Sequence, residues 1–154
     1  MTLNTVKGFL DNTEGKELAK IARQCSKLGP CLEIGTYCGK SALIMGSVCK
    51  KNKNILFTVD HHTGSEEHQL GEEYHDSDLF DQNISCFNSL PEFLRNLRES
   101  NLANFVLPIV ADSEETSKNW EIPLGMVFID GGHSRESANA DYTNWAPHIM
   151  KSGF

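Results

Sequence analysis

Apolar positions in this chain recur at two spacings, one helical and one extended, and the two alternate along its length. Leu18, Ile21, Ala22, Cys25 and Leu28 share one helical face, which predicts an amphipathic helix over Thr13–Leu28. Asn12 or Thr13 can cap its start, and Gly29-Pro30 stops it. Cys31–Ile34 reads as a short buried strand, and the apolar-rich stretch Ser41–Val48 as the helix after it. Lys50–Asn54 is a polar turn, and Ile55–Val59 is a second buried strand that ends at Asp60. His61–Ser89 is long, polar and short of periodic apolar residues, as in a functional or mobile loop. Ser89-Leu90-Pro91-Glu92 carries a capping signature for a helix with Phe93, Leu94 and Leu97 on its apolar face. Phe105–Val110 reads as a third strand, Ser113–Trp120 as a short helix, and Met126–Ile129 as a fourth strand that ends at Asp130. Ser134 can cap a last helix that carries Ala138, Tyr142 and Trp145 and stops near Pro147. Such alternation predicts an α/β fold, a parallel sheet covered on both faces.

Between the first strand and its helix lies Gly35-Thr36-Tyr37-Cys38-Gly39. Glycines let the backbone take positive φ and let a ligand approach closely, and a helix N-terminus offers unpaired N–H groups. A dinucleotide turn needs Gly-x-Gly-x-x-Gly to cradle a pyrophosphate. This turn has two glycines with Tyr37 between them, which suits a ligand without a pyrophosphate. Glu33 puts a carboxylate just before the turn, where an ammonium group would be its partner. An amino-acid-bearing nucleoside, S-adenosylmethionine, fits both features. Asp60, after the second strand, can accept hydrogen bonds from ribose hydroxyls or cap its own loop. Ser113, after the third, can cap a helix.

Composition narrows the picture. Hydrophobic residues make up 39% and charged residues 23% of 154, ordinary for one globular domain with a real core. A net charge of −7 argues against nucleic acid or an anionic membrane as the main partner. No apolar run approaches the roughly 20 residues that span a bilayer, and the N-terminus lacks a signal peptide's apolar core. Five cysteines, with no Cys-x-x-Cys pair, make neither a disulfide framework nor a zinc site, so a reducing cytoplasm is expected. His61, His62, His68 and His75 stand among carboxylates in the long loop, at spacings that match no zinc pattern. That loop reads either as solvated or as a substrate lid.

Glu33-x-Gly35-x-x-x-Gly39 resembles motif I of class I S-adenosylmethionine-dependent methyltransferases, and Leu32–Ala42 is especially similar to catechol O-methyltransferase. Phe128-Ile129-Asp130-Gly131-Gly132-His133 looks like motif IV of the same enzymes, and Leu90-Pro91-Glu92-Phe93 resembles methyltransferases of the methyltransferase-24 type. The resemblance implies a Rossmann-like three-layer sandwich and a single domain over residues 1–154. It also implies a cofactor set of Glu33, Gly35, Thr36, Tyr37, Gly39, Ser41, Asp60, His61, Asp112, Ser113 and Asp130. His133 stands where catechol O-methyltransferase has a lysine base, so His133 is expected to take the acceptor's proton, with Asp130 orienting it. Asp130 also matches a magnesium ligand, but the further acidic ligands of that site would follow Phe154. No ordered metal is therefore expected in this chain, and magnesium or another divalent ion only in a complete protein. In a complete enzyme of this class a fifth strand begins near Lys151–Phe154, followed by a terminal antiparallel pair. The sequence thus reads as C-terminally incomplete.

The reaction implied is O-methylation of a small hydroxylated metabolite or sugar, in a protein compatible with homo-oligomerisation. The alternative is a non-catalytic fragment or interaction module of the same fold. A nicotinamide-dependent oxidoreductase would need the three-glycine turn that is absent. Asp141, Tyr142 and Trp145 read as packing and helix-positioning residues rather than chemistry, and Trp120 and the phenylalanines as core.

Overall fold

The computed structural model describes residues 5–64, 76–83, 85–132 and 134–154. Four parallel strands form its sheet: β1 (Cys31–Ile34), β2 (Leu56–Val59), β5 (Val106–Ile109) and β6 (Met126–Ile129), in the spatial order β5-β2-β1-β6. β1 is central and wholly buried, in register with Leu56–Val59 on one side and Met126–Ile129 on the other. The chain builds outward from β1 through β2 to β5, then returns to lay β6 on the opposite side of β1. The order of strands therefore reverses between β1 and β6, and a crevice opens at their carboxyl ends.

Two apolar layers follow from the alternation of side chains along the strands. Cys31, Leu56, Val106 and Met126 pack with Ala42, Met45 and Cys49 of α2 (Lys40–Lys51), and with Leu18, Ala22 and Cys25 of α1 (Asn12–Cys25). On the opposite face Leu32, Ile34, Val59 and Leu124 pack around Trp145 of α5 (Arg135–Trp145). α3 (Leu90–Glu99) joins the first layer through Phe93 and Leu97, and α4 (Ser113–Lys118) lies beside α5. β5 forms one edge of the sheet and carries Pro108, which edge strands tolerate. Along β6, the Val127 N–H donates to the Phe154 carbonyl, and Leu124 bridges Ile149 in parallel.

Two capping expectations fail for local reasons. Neither Asn12 nor Thr13 caps α1: the Asp11 carboxylate accepts from the Thr13 and Glu14 N–H groups, and Glu14 reaches back to the Asp11 N–H, a closed capping box. α1 ends at Cys25, and Leu28 is exposed. The Ser89–Glu92 box of α3 does not form, because the Ser89 hydroxyl is taken by His62 Nδ1 at 2.8 Å and Glu92 pairs with Arg95. Asn88 Oδ1 accepts the Leu90 N–H instead.

The long loop is more structured than its composition suggests. A short turn at Ser77–Leu79 leads into a small antiparallel pair, β3 (Phe80–Asp81) with β4 (Cys86–Phe87), and Leu79 and Phe87 are buried. His68, His75 and the rest of 65–75 lie outside the described residues. His62 is a core histidine, stacked on Phe93, and its burial holds the ring toward the neutral form.

Candidate functional site

A cavity of about 920 Å³ opens at the carboxyl edge of the sheet. Gly35 makes that edge passable. Its φ is +78°, and a Cβ there would stand 2.5 Å from the Gly131 Cα and against the Asp130 carbonyl oxygen. Gly39, at φ +89°, begins α2, and a Cβ on it would meet the Phe93 ring at 2.5 Å. The turn is pinned from below by Asn96, buried in α3, whose amide donates to the Cys38 carbonyl at 2.9 Å. No side chain caps α2, so its first N–H groups and positive dipole end stay available to an anion. Because the neighbours at Gly35 are backbone, Gly35→Ala is expected to lower the unfolding free energy by roughly 2–4 kcal/mol, from left-handed strain plus overpacking. Urea denaturation measures it; a loss below about 1 kcal/mol would mean that the turn relaxes.

Asp60 organises the same turn. One carboxylate oxygen accepts from the Thr36 and Tyr37 N–H groups at 2.7 and 2.9 Å, and the other from the His62 N–H at 2.7 Å. This occupies three of about four lone-pair positions. Tyr37 adopts φ +52°, stacks near Phe87, and donates its hydroxyl to Asp76 at 3.4 Å. Asp76 also binds Lys7 at 2.6 Å, so residues 7–10 close one side of the cavity. No motif flags that segment; only the tertiary fold brings it there.

Glu33 is fully buried, and neither of its oxygens has a hydrogen-bond partner among the described residues. Burial raises its pKa to about 8, opposed by the Ser41 and Thr36 hydroxyls, which stand near the carboxylate without reaching hydrogen-bonding geometry, and aided by Asp130 and Asp60. Glu33 and Gly39 do not line the cavity themselves; Gly35, Thr36, Tyr37, Ser41, Asp60, His61, Asp112, Ser113 and Asp130 do. Glu33 thus lies one layer behind Ser41 and Thr36. His61 is exposed, with its ring Nδ1 2.7 Å from the Thr63 hydroxyl. Asp112 caps α4 through the Glu115 N–H. The Ser113 hydroxyl donates to Asp141 at 2.6 Å and accepts from the Trp145 indole at 2.9 Å. His133, the expected base, lies outside the described residues.

The packing and positioning expected of the last helix hold for Trp145 and Asp141 but not for Tyr142. Trp145 is core, but Tyr142 is exposed and Asp141 is a buried carboxylate at the cavity wall. Among the described residues the cavity bears six carboxylates (Glu14, Asp60, Asp112, Glu114, Asp130 and Asp141) against Lys7 and Lys40. Such a lining favours a cationic ligand. A partnerless buried Glu33, an open helix start and a glycine cradle all fit an amino-acid-bearing nucleoside. A metal fits poorly: among the described residues no group of three or more His, Cys, Asp or Glu converges, and one carboxylate cannot satisfy an octahedral ion. Among them, too, no helix is long and apolar enough to cross a membrane.

A family model for a methyltransferase domain matches residues 32–154. The fold is similar to an S-adenosylhomocysteine-bound methyltransferase from Podospora anserina, at 16% identity and a TM-score of 0.66, over 94% of this chain and 51% of that one. It is also similar to the O-methyltransferase TomG from Streptomyces achromogenes, involved in tomaymycin synthesis and solved with S-adenosylmethionine: 18% identity, TM-score 0.62, 93% of this chain and 53% of that one. An O-methyltransferase from Bacillus cereus, in complex with S-adenosylhomocysteine, matches at 20% identity and a TM-score of 0.60, over 96% and 56% of the two chains. At such identities the likeness concerns the fold alone, and this chain spans little more than half the length of each of the three.

Proposed function

Because the chain belongs to the methyltransferase domain family, we propose that it forms the cofactor-binding part of an S-adenosylmethionine-dependent O-methyltransferase that acts on a small hydroxylated metabolite or sugar. The observation that carries this reading is the acidic cavity over Gly35, with the buried, unpartnered Glu33 behind it. When bound, S-adenosylmethionine supplies an electrophilic methyl group on a sulfonium.

The chain's own residues have separable tasks. Glu33 compensates the ligand's ammonium charge. Ser41 and the open start of α2 face its carboxylate. Asp60 offers its remaining acceptor capacity to the ribose hydroxyls while holding Thr36 and Tyr37 in place. Tyr37 and His61 border the ligand, and Asp112 and Ser113 stand at its base. Orienting donor and acceptor in one crevice is the main source of acceleration. His133 takes the acceptor's hydroxyl proton, a task suited to a group that titrates near neutral pH, and Asp130 orients it.

The test is a calorimetric titration of this chain with S-adenosylhomocysteine, with NADH in parallel. Saturable binding of the first alone is expected. Binding of NADH alone, or of neither, would overturn the assignment of the cavity.

A further inference from the structure

The cavity crosses the carboxyl edge of the sheet from one helical layer to the other. Glu33, Ser41 and the start of α2 lie on the α2 side. Ser113 and Asp141 lie on the α5 side, beneath the turn that follows β6. Asp60 follows β2 and lines the same cavity. On the methyltransferase reading, a ligand whose ammonium is compensated by Glu33 and whose ribose meets Asp60 finds Ser113 and Asp141 in the same cavity for its base.

Asp141 is only 8% exposed. Its Oδ1 accepts the Ser113 hydroxyl at 2.6 Å. Its Oδ2 has no hydrogen-bond donor among the described residues and stands close under Gly131, where a Cβ would lie 3.4 Å away. The Ser113 proton is spent on Asp141, and one Ser113 lone pair is spent on the Trp145 indole. The network thus leaves one strong acceptor oxygen at the cavity wall, and a buried carboxylate oxygen without a donor is costly unless a ligand brings one.

Resting on the methyltransferase reading, we propose that Asp141 is a specificity-determining residue that accepts a hydrogen bond from the exocyclic amine of the adenine base through Oδ2. Trp145 and Ser113 are positioning residues that fix the orientation of the carboxylate. A base with a carbonyl at that position sets oxygen against oxygen and is rejected.

The experiment compares S-adenosylhomocysteine with S-inosylhomocysteine, and with the analogue that lacks any 6-substituent, by calorimetry on this chain. Wild-type protein is expected to bind the adenine compound at least about tenfold more tightly than either analogue, the range of a hydrogen bond to a charged group. Asp141→Asn can turn its amide toward a carbonyl, so the preference over S-inosylhomocysteine is expected to shrink by about tenfold or invert. A merely structural role would weaken all three ligands alike and leave their ratios fixed; that result would overturn the proposal. If Asp141→Asn does not fold, the wild-type ratios decide, and equal affinities for the three ligands would overturn it. No binding of S-adenosylhomocysteine to wild-type protein would instead sink the cofactor reading itself, and this inference with it.

Discussion

Asp60→Ala is expected to abolish measurable S-adenosylhomocysteine binding and to lower the unfolding free energy by about 3 kcal/mol. The two effects share one cause. The carboxylate receives the N–H groups of Thr36, Tyr37 and His62, and its side chain is only 14% exposed. Each stranded donor costs on the order of 1–3 kcal/mol, reduced where water can enter the space left behind. Tyr37 sits at positive φ, so once its N–H is released the turn loses what holds it in that conformation. Ligand loss alone therefore would not show that Asp60 touches ribose. The separating comparison is S-adenosylhomocysteine with its 2′-deoxy counterpart on wild-type protein. A ratio near one would remove Asp60 from the ribose and leave it as a turn organiser. Chemical denaturation checks the stability arm, and a change under about 1 kcal/mol would contradict the hydrogen-bonding account.

Glu33→Gln is expected to act in opposite directions on stability and binding. Burial lifts the pKa of Glu33 in the folded state to about 8, from an ordinary value of 4.5. Between those values the native state holds a proton that the unfolded chain releases, so stability from this group is full below about pH 4.5 and falls as pH rises through 8. The neutral amide removes that fall. Near pH 8.5 the ligand-free variant should be more stable than wild type, by up to a few kcal/mol on the linkage scale. The gain is reduced because an amide buried beside Ser41 and Thr36 also needs partners. At pH 4.5 the two should unfold alike.

Binding should move the other way, with S-adenosylhomocysteine at least about tenfold weaker once the ammonium loses its counter-charge. Pairing with an ammonium also drives the proton off Glu33. Titrations near pH 7 in buffers of different ionisation enthalpy should therefore report proton release in wild type and none in Glu33→Gln. Proton release that persists in the variant would assign it to another group, and an unchanged affinity would remove Glu33 from the site.

The fold was readable because its signals are local. Cys31–Ile34 and Met126–Ile129 stand as expected to the residue, since a buried parallel strand is a short apolar run between turns. Asp60, Asp130 and Gly35 all fall at the carboxyl ends of strands, where the parallel order must place them. The errors came where two elements compete for one group. Ser89 looks like a helix cap until His62, far away in sequence, claims its hydroxyl. Asp141 reads as a helix-positioning residue, which it is, but only the docking of α5 against Ser113 also makes it part of the cavity wall.

Hydrophobic spacing and the Glu33–Gly39 string determined, from the sequence by itself, a parallel α/β sheet with a non-dinucleotide glycine turn and an acidic ligand edge. Backbone geometry and apolar period are written in neighbouring residues, and so they survive without a partner. Only the tertiary structure decided that Glu33 is sealed with no hydrogen-bond partner among the described residues, that Asp60 is largely committed to the turn, and that Lys7 and Asp141 reach the cavity. Burial and hydrogen-bond satisfaction belong to pairs of groups that the fold, not the chain order, brings together.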